Sequence, residues 1–188
     1  MKRLNIQRFK AAKSVLNIWH SQEFLVTLHR RLRGIAVVII CCLAHLVCHA
    51  QSVALPLNDV HVTSLYGMRS DPLKPGCKTM HYGMDLRAYY ENVYSMFAGI
   101  VLEASYSSKS GYFVMVDHGA CVCSYLHLSK LMVKSGQRVH AGQLIAVSGN
   151  SGSRTTGPHL HLSCRTKNGN YINPLVILVF VAEHLSNQ

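Results

Sequence analysis

The chain has 188 residues and a formal net charge of +11, a length that suits one domain with an appended segment. Most of the charge is local, because residues 1–50 carry a net charge of +7 and the rest of the chain only +4. The high charge therefore gives no support to a nucleic-acid-binding function, and we predict no nucleic-acid partner. A mildly basic domain suits an anionic cell envelope.

Residues 30–50 have the pattern of a targeting segment. Three arginines precede an uninterrupted apolar run over residues 35–44, and a small residue, Ala50, follows. This order is typical of a secretory signal that is cleaved after Ala50. The apolar run is shorter than the roughly 20 residues that a spanning helix needs. We predict export to the periplasm or cell envelope, and the alternative is that residues 30–50 associate with the inner membrane as an uncleaved anchor.

The rest of the chain has the pattern of a single β domain. Residues 51–57 are predicted to form a short linker, residues 58–175 the folded domain and residues 176–188 a C-terminal extension. Short apolar segments separated by glycine-containing turns predict a mainly β fold with an antiparallel sheet. The predicted strands are residues 93–97, 100–106, 112–117, 122–128 and 143–148. The final apolar run, residues 175–182, is predicted to be either an edge strand or a short docking helix.

Two histidines lie at positions i and i+2 in the segment Gly157-Pro158-His159-Leu160-His161-Leu162-Ser163. On a strand, this spacing points both imidazoles to one face of the sheet and the two leucines to the other face, into a core. A second segment, His81-Tyr82-Gly83-Met84-Asp85, offers one imidazole nitrogen and one carboxylate oxygen. With one histidine of the pair, these would form a three-ligand zinc site with an open fourth position, which is the catalytic pattern. The spacing alone does not choose between His159 and His161.

Three segments occur in a fixed order along the chain, and they carry a family resemblance. They are His81-Tyr82-Gly83-Met84-Asp85, Tyr125-Leu126-His127-Leu128 and Gly157-Pro158-His159-Leu160-His161. In this combination the chain resembles the lysostaphin-type zinc endopeptidases of bacterial cell walls, from about residue 62 to residue 174. The resemblance implies the antiparallel β-sheet fold of that class.

The resemblance also implies the roles of the site residues. It implies one zinc ion per chain, held by His81, Asp85 and His161, which would lower the pKa of a bound water to about 7. It makes His127 and His159 the catalytic pair and leaves open which of them is the general base.

The implied activity is hydrolysis of the peptide cross-links of peptidoglycan, and the implied partners are its stem peptides or cross-bridges. The bond would join D-alanine to a diamino acid or lie within a glycine bridge, and we favour the former. The alternative is a non-hydrolytic activator of other wall hydrolases, because some proteins of this fold have lost their metal ligands. Here all five histidine and aspartate positions are intact, which favours an enzyme.

Four further polar residues allow simpler interpretations. Arg69 is predicted to line the substrate groove or to be a surface charge, and Asp71 to be a turn residue before a proline. His118 is predicted to have a structural or surface role, and His140 to be exposed to solvent.

Seven cysteines are present, and four of them lie beyond the predicted signal: Cys77, Cys121, Cys123 and Cys164. An even number in an exported domain permits disulfides, with three possible pairings. The family pattern does not need these cysteines, so their oxidation state stays open.

Overall fold

The computed structural model describes residue 29, residues 31–36 and residues 53–187. Residues 31–36 are helical and exposed. The predicted signal or anchor over residues 30–50 therefore lies mostly outside the described residues. None of the helices in the described part of the chain is both long and apolar enough to cross a membrane.

Residues 53–187 contain thirteen strands and one helix, and every strand pair is antiparallel. The predicted mainly β, antiparallel fold is therefore confirmed. The elements are β1 (Val62–Ser64), β2 (Gly67–Ser70), β3 (Lys78–His81), β4 (Met84–Arg87), β5 (Asn92–Tyr94), β6 (Gly99–Ser107), β7 (Gly111–Asp117), β8 (Val122–Leu128), β9 (Lys130–Leu131), β10 (Arg138–Val139), β11 (Leu144–Val147), β12 (His159–Arg165), β13 (Tyr171–Ile172) and α1 (Pro174–Ser186).

One large sheet positions the candidate site. Its strand order is β1-β4-β12-β8-β7-β6-β10, and β13 pairs with β12. The strands β5-β11-β9 form a second sheet, and β2 and β3 form a separate hairpin. The central neighbours β4, β12 and β8 carry Asp85, the histidine pair and His127, whereas His81 ends strand β3 of the separate hairpin. The sheet thus places Asp85 directly opposite His161, which lies 76 residues later in the chain.

The two faces of β12 have different environments. Leu160, Leu162 and Cys164 are fully buried, whereas the alternate residues of the strand are only partly buried. This pattern is what a period of two predicts for a strand with one face on a core. The core face of β12 packs with buried residues of β4 and β8, including Leu86 and Tyr125. The predicted split between histidines and leucines is confirmed.

The predicted linker over residues 51–57 is wrong for the residues that the structure describes. Val53, Ala54 and Leu57 are buried. The N–H of Ala54 donates to the carbonyl of Met96 at 2.8 Å, and Val53 forms a β-bridge with Phe97. The segment is apolar, so it covers the core instead of connecting two units through solvent.

The final apolar run is a helix rather than an edge strand. The side chain of Asn173 accepts a hydrogen bond from the N–H of Leu175 and caps the first turn, and Pro174 occupies the start of the helix. Leu178 and Val181 are buried, and Leu178 joins the main hydrophobic core. Helix α1 begins within the predicted domain and ends at Ser186, inside the predicted extension over residues 176–188.

Tyr125 links the core to the backbone of another segment. Its side chain is fully buried, and its hydroxyl accepts a hydrogen bond from the N–H of Met96 at 3.1 Å. We expect Tyr125→Phe to lower the free energy of unfolding by about 1–3 kcal/mol, because the buried N–H loses its acceptor. Denaturant unfolding measures this change. The exposed Tyr106 supplies the control, and an equal effect of Tyr106→Phe would contradict the assignment.

Candidate metal centre and catalytic groove

The first two candidate ligands lie opposite each other on neighbouring strands. Asp85 of β4 and His161 of β12 are direct partners in the antiparallel register, so their side chains share one face of the sheet. The Nδ1 atom of His161 lies 2.8 Å from Oδ1 of Asp85. His159 lies two residues earlier on the same face, and its Nε2 is 3.5 Å from the same carboxylate oxygen. The sheet therefore brings both histidines of the pair to Asp85, with His161 closer.

The third candidate ligand comes from the β2–β3 hairpin. His81 is the last residue of β3, and its Nδ1 donates to the carbonyl oxygen of Leu65 at 2.8 Å. Because a carbonyl oxygen can only accept, the proton lies on Nδ1 and the lone pair of the neutral ring on Nε2. That Nε2 atom is 3.1 Å from Oδ1 of Asp85 and 3.1 Å from Nδ1 of His161.

This arrangement fits a metal ion. The ligand atoms of His81, Asp85 and His161 all lie within 4.8 Å of one another. Two of them, Nε2 of His81 and Oδ1 of Asp85, are acceptors that face each other in a buried place, which is unfavourable unless a cation or a proton lies between them. Two imidazole nitrogens and one carboxylate oxygen form a typical zinc donor set. Metal-binding histidines commonly donate their second ring N–H to a carbonyl or carboxylate group, and the carbonyl of Leu65 orients His81 in this way.

Asp85 is held as a carboxylate by its neighbours. Burial raises the pKa of its carboxyl group, but the contacts with the three surrounding histidines lower it by more, so the pKa lies well below its usual range. Its second oxygen, Oδ2, accepts a hydrogen bond from Nη1 of Arg69 at 3.1 Å. The interpretation of Arg69 as a groove residue is therefore the correct one of the two alternatives.

His159 directs its Nε2 atom towards the site, and its Nδ1 atom is held by a hydrogen bond to the backbone. Its Nδ1 lies 2.8 Å from the carbonyl oxygen of Gly157, to which it donates, so Nε2 faces the Asp85 side. Burial lowers the pKa of His159, but contacts with Asp85 and Gly157 raise it by more. A free Nε2 can accept a proton from a reacting group.

His127 reaches the same face through a β-bulge. Tyr125 of β8 pairs with Val114 of β7. Three residues later on β8, Leu128 pairs with Tyr112, which lies only two residues earlier on β7. The extra residue gives His127 a positive φ of 61°, an uncommon value outside glycine. Tyr125 and Leu128 both stay in the core, and the ring of His127 lies 5.0 Å from that of His159 between centroids.

The ring of His127 is oriented and neutral. Its Nδ1 donates to the carbonyl oxygen of Ser151 at 2.9 Å, which leaves Nε2 without a proton. Burial lowers the pKa of His127 to about 4, and the contact with Ser151 opposes that effect only partly. A strained backbone that holds a neutral imidazole beside the ligand cluster is typical of a functional residue.

The site lies in an open groove of about 870 Å³. Arg154 forms an ion pair across it, because its Nη2 is 3.3 Å from Oδ2 of Asp71. Asp71 also accepts from the N–H of Leu73 at 2.9 Å, so it is a turn residue as predicted and an ion-pair partner as well. The basic side chains that line the groove are Arg69, Lys74, Arg87, Lys109 and Arg154.

His118, which is predicted to have a structural or surface role, and His140, which is predicted to be exposed, do not line the groove. The ring of His118 packs against Phe97, and its Nδ1 bonds to the carbonyl of Ala98 at 3.1 Å. His140 is exposed. Sequence reasoning missed Arg154 and the three carbonyl groups that orient the site imidazoles, those of Leu65, Ser151 and Gly157. Every residue has a backbone carbonyl, so no sequence pattern could have identified these three carbonyl groups.

Gly83 lets β12 approach the His81–Asp85 segment closely. A Cβ atom at Gly83 would lie 2.4 Å from Nε2 of His161 and 2.6 Å from the carbonyl oxygen of Leu162. We expect Gly83→Ala to displace His161 and to reduce metal binding at least roughly tenfold, since a smaller disturbance around a metal ligand already costs that much. Metal titration measures the effect. Gly136→Ala is the control, because no atom lies within 4 Å of a Cβ there and the residue does not line the groove, so the strain at its positive φ of 81° can lower stability but not metal affinity. Wild-type affinity in Gly83→Ala would contradict this packing.

Comparison with known proteins agrees with this geometry. Residues 79–174, just over half of the chain, match peptidase family M23. The chain belongs to this family. The peptidoglycan DD-endopeptidase ShyC of Vibrio cholerae is 33% identical over 135 residues, which are 71% of this chain and 31% of the relative. The peptidoglycan DD-endopeptidase ShyA of the same organism is 47% identical over 70 residues, which are 37% of this chain and 16% of the relative.

Solved structures of M23-type peptidases have the same fold. Lysostaphin from Staphylococcus simulans superposes with a TM-score of 0.59 and 31% identity, over 69% of this chain and 53% of that one. A zinc-containing peptidase from Vibrio cholerae superposes with a TM-score of 0.56 and 30% identity, over 65% of this chain and 39% of that one. The chain spans about a third or less of the length of the first curated relatives.

Proposed function

We propose that this M23 family member is a zinc-dependent endopeptidase that hydrolyses peptide cross-links of peptidoglycan. In this proposal His81, Asp85 and His161 hold one zinc ion, and His127 and His159 are the catalytic pair. The observation that carries the proposal is the convergence of three ligand atoms within 4.8 Å, beside two further imidazoles, in an open groove. Relatives named as peptidoglycan endopeptidases supply the reaction class.

A zinc ion held by these ligands would act as a Lewis acid and lower the pKa of a bound water to about 7. His127 and His159 both keep Nδ1 on a backbone carbonyl, so both offer Nε2 to the reacting groups. One of them takes the proton of the attacking water and passes it to the departing amine. The other, when protonated, donates a hydrogen bond to the carbonyl oxygen of the scissile bond as negative charge develops there.

The charge of the groove favours a substrate with free carboxylates. Five basic side chains line it, against the two acidic side chains of Asp71 and Asp85. Asp85 belongs to the metal site and Asp71 is paired with Arg154, so Lys74 and Lys109 remain available for an anionic ligand. Stem peptides joined through a diamino acid carry carboxylates, whereas glycine bridges do not. We therefore favour the bond between D-alanine and a diamino acid, cleaved outside the cytoplasm.

Two purified cell walls test this proposal. The full chain, loaded with zinc, is incubated with directly cross-linked peptidoglycan and with glycine-bridged peptidoglycan, and the muropeptides are analysed by mass spectrometry. We expect cross-linked dimers of the direct type to convert to monomers, and the glycine-bridged wall to be cleaved at least roughly tenfold more slowly, as the loss of one charged contact implies. Faster cleavage of the glycine-bridged wall would overturn the substrate assignment. Binding to both walls without cleavage would favour the activator alternative.

A further inference from the structure

Three thiols lie close together on the opposite side of the sheet from the metal centre. Cys123 of β8 and Cys164 of β12 are fully buried, and their Sγ atoms are 3.4 Å apart. Cys121, immediately before β8, is 6% exposed, and its Sγ is 3.9 Å from that of Cys123. All three are free thiols in the structure. None of them takes part in the proposed peptidase chemistry.

The register of the sheet brings two of these thiols together. Cys123 and Cys164 are direct partners in the antiparallel pairing of β8 with β12. Directly opposite residues in such a pair have Cα atoms about 4.5–5.5 Å apart, and disulfides span Cα separations of about 4.4–6.8 Å. The Sγ atoms already face each other, so a bond needs only a small movement of two side chains.

We propose that Cys123 and Cys164 form a cross-strand disulfide, and that Cys121 is the thiol through which the oxidant reaches them. The reaction needs a disulfide-type oxidant, RSSR. The Cys121 thiolate attacks one sulfur of RSSR and releases one RS⁻ as RSH after protonation. Cys123 then attacks Sγ of Cys121 and releases the second RSH, and Cys164 attacks Sγ of Cys123 and returns Cys121 to a free thiol. The balance is two thiols and RSSR in, one protein disulfide and two RSH out.

Cys121 has the properties that the first step requires. It is the most accessible of the three thiols, whereas Cys123 and Cys164 are closed to solvent. A hydrogen bond with Cys123 lowers the pKa of Cys121, against the opposing effect of burial, so this thiol forms the thiolate more readily than an ordinary cysteine. The same network and burial raise the pKa of Cys123, which keeps that thiol protonated until it is next to an oxidised partner.

The proposed bond would join the two strands that carry the catalytic pair. His127 lies on β8, and His159 and His161 lie on β12, all on the face opposite to the disulfide. The bond would close a loop between residues 123 and 164 and so raise the free energy of unfolding of the domain. Extracytoplasmic action, as proposed above, would supply an oxidising compartment.

Peptide mapping of the full chain tests the bond directly. The protein is treated with oxidised glutathione, its remaining thiols are alkylated after denaturation, and it is digested with trypsin. Cleavage after Lys109, Lys130, Arg154 and Arg165 yields the peptides 110–130 and 155–165. We expect these two to be linked in the wild type and in Cys77→Ala, and the link to be absent in Cys164→Ala. Because 110–130 contains two cysteines, Cys121→Ala refolded under oxidising conditions must still show the link.

Two further measurements separate the parts of the proposal. The linked protein should unfold about 10 °C higher than the reduced protein, and Cys164→Ala should show no such difference. In the folded protein, the link should form at least roughly tenfold more slowly in Cys121→Ala, because the accessible thiolate is missing. An unchanged rate would overturn the role of Cys121. Full alkylation of Cys123 and Cys164 after oxidation, or a bond between Cys121 and Cys123 as the end product, would overturn the disulfide itself.

Discussion

Replacing His161 with alanine is expected to abolish metal binding and peptidase activity together. Nδ1 of His161 lies 2.8 Å from Oδ1 of Asp85 and 3.1 Å from Nε2 of His81, so it closes the cluster of ligand atoms. A site with two protein ligands does not hold zinc in the manner of a catalytic site. Zinc per chain should fall from about 1 to less than about 0.1 after dialysis, since even second-shell changes cost roughly 10–100-fold in affinity.

The matched control for this variant is His140→Ala, because His140 is an exposed histidine that does not line the groove. It should keep the full zinc content and the full activity. Retention of about one zinc per chain by His161→Ala would contradict the ligand assignment and would make His159 the candidate for the third ligand. Circular dichroism of both variants checks that the sheet is intact.

Replacing His127 is expected to abolish activity while the metal stays bound. The side chain takes part in proton transfer or charge stabilisation in our account, but it is not one of the three ligands. We expect the rate of cross-link cleavage to fall by about a hundredfold to ten-thousandfold. His127→Asn is the suitable variant, because asparagine tolerates the positive φ of 61° at this bulge better than alanine does. Rate and zinc content are measured on the same preparation.

Two outcomes would contradict the assignment of His127. A rate within a few-fold of the wild type would remove it from the catalytic pair. Loss of zinc in a variant that keeps its fold would move it into the ligand set. His159→Asn is expected to behave like His127→Asn, with zinc retained and the rate reduced, because its Nε2 lies 3.5 Å from the Asp85 carboxylate in the same groove.

The alternation of residues along a strand predicts correctly that His159 and His161 lie on one face of the sheet. It does not predict the face on which His127 lies. A period of two puts the two histidines of β12 on one side and Leu160 and Leu162 on the other, as the structure has them. The same rule would put His127 beside Tyr125, on the core face. The bulge reverses this, and β8 contains no glycine there that would reveal it. Only the family resemblance pointed to His127.

The errors at the ends of the domain have different physical causes. Residues 51–57 are predicted to be a short linker, but the apolar side chains of Val53, Ala54 and Leu57 are buried and cover the core. For residues 175–182, length and hydrophobicity left strand and helix open. Asn173 followed by Pro174 is a helix-start signal, so the sequence did contain the information that decides this case.

The geometry of the candidate metal site depends on strand pairings and backbone contacts that cannot be read from the residue pattern. The register that places Asp85 opposite His161 follows from the pairing of strands 76 residues apart, and the hairpin that delivers His81 belongs to a separate two-stranded sheet. The carbonyl groups that fix the imidazoles have no residue signature. The choice of His161 over His159 came from resemblance, and the structure adds the shorter distance to Asp85.

The most direct test of the account is to measure the zinc content and the cleavage rate of the full chain on the same sample. The sample is measured as purified, after removal of metal by a chelator, and after titration with zinc. We predict that the rate rises in proportion to bound zinc and reaches its maximum at about one ion per chain. Full activity in the metal-free protein, or one bound zinc per chain with no cleavage of any cross-linked wall, would contradict it.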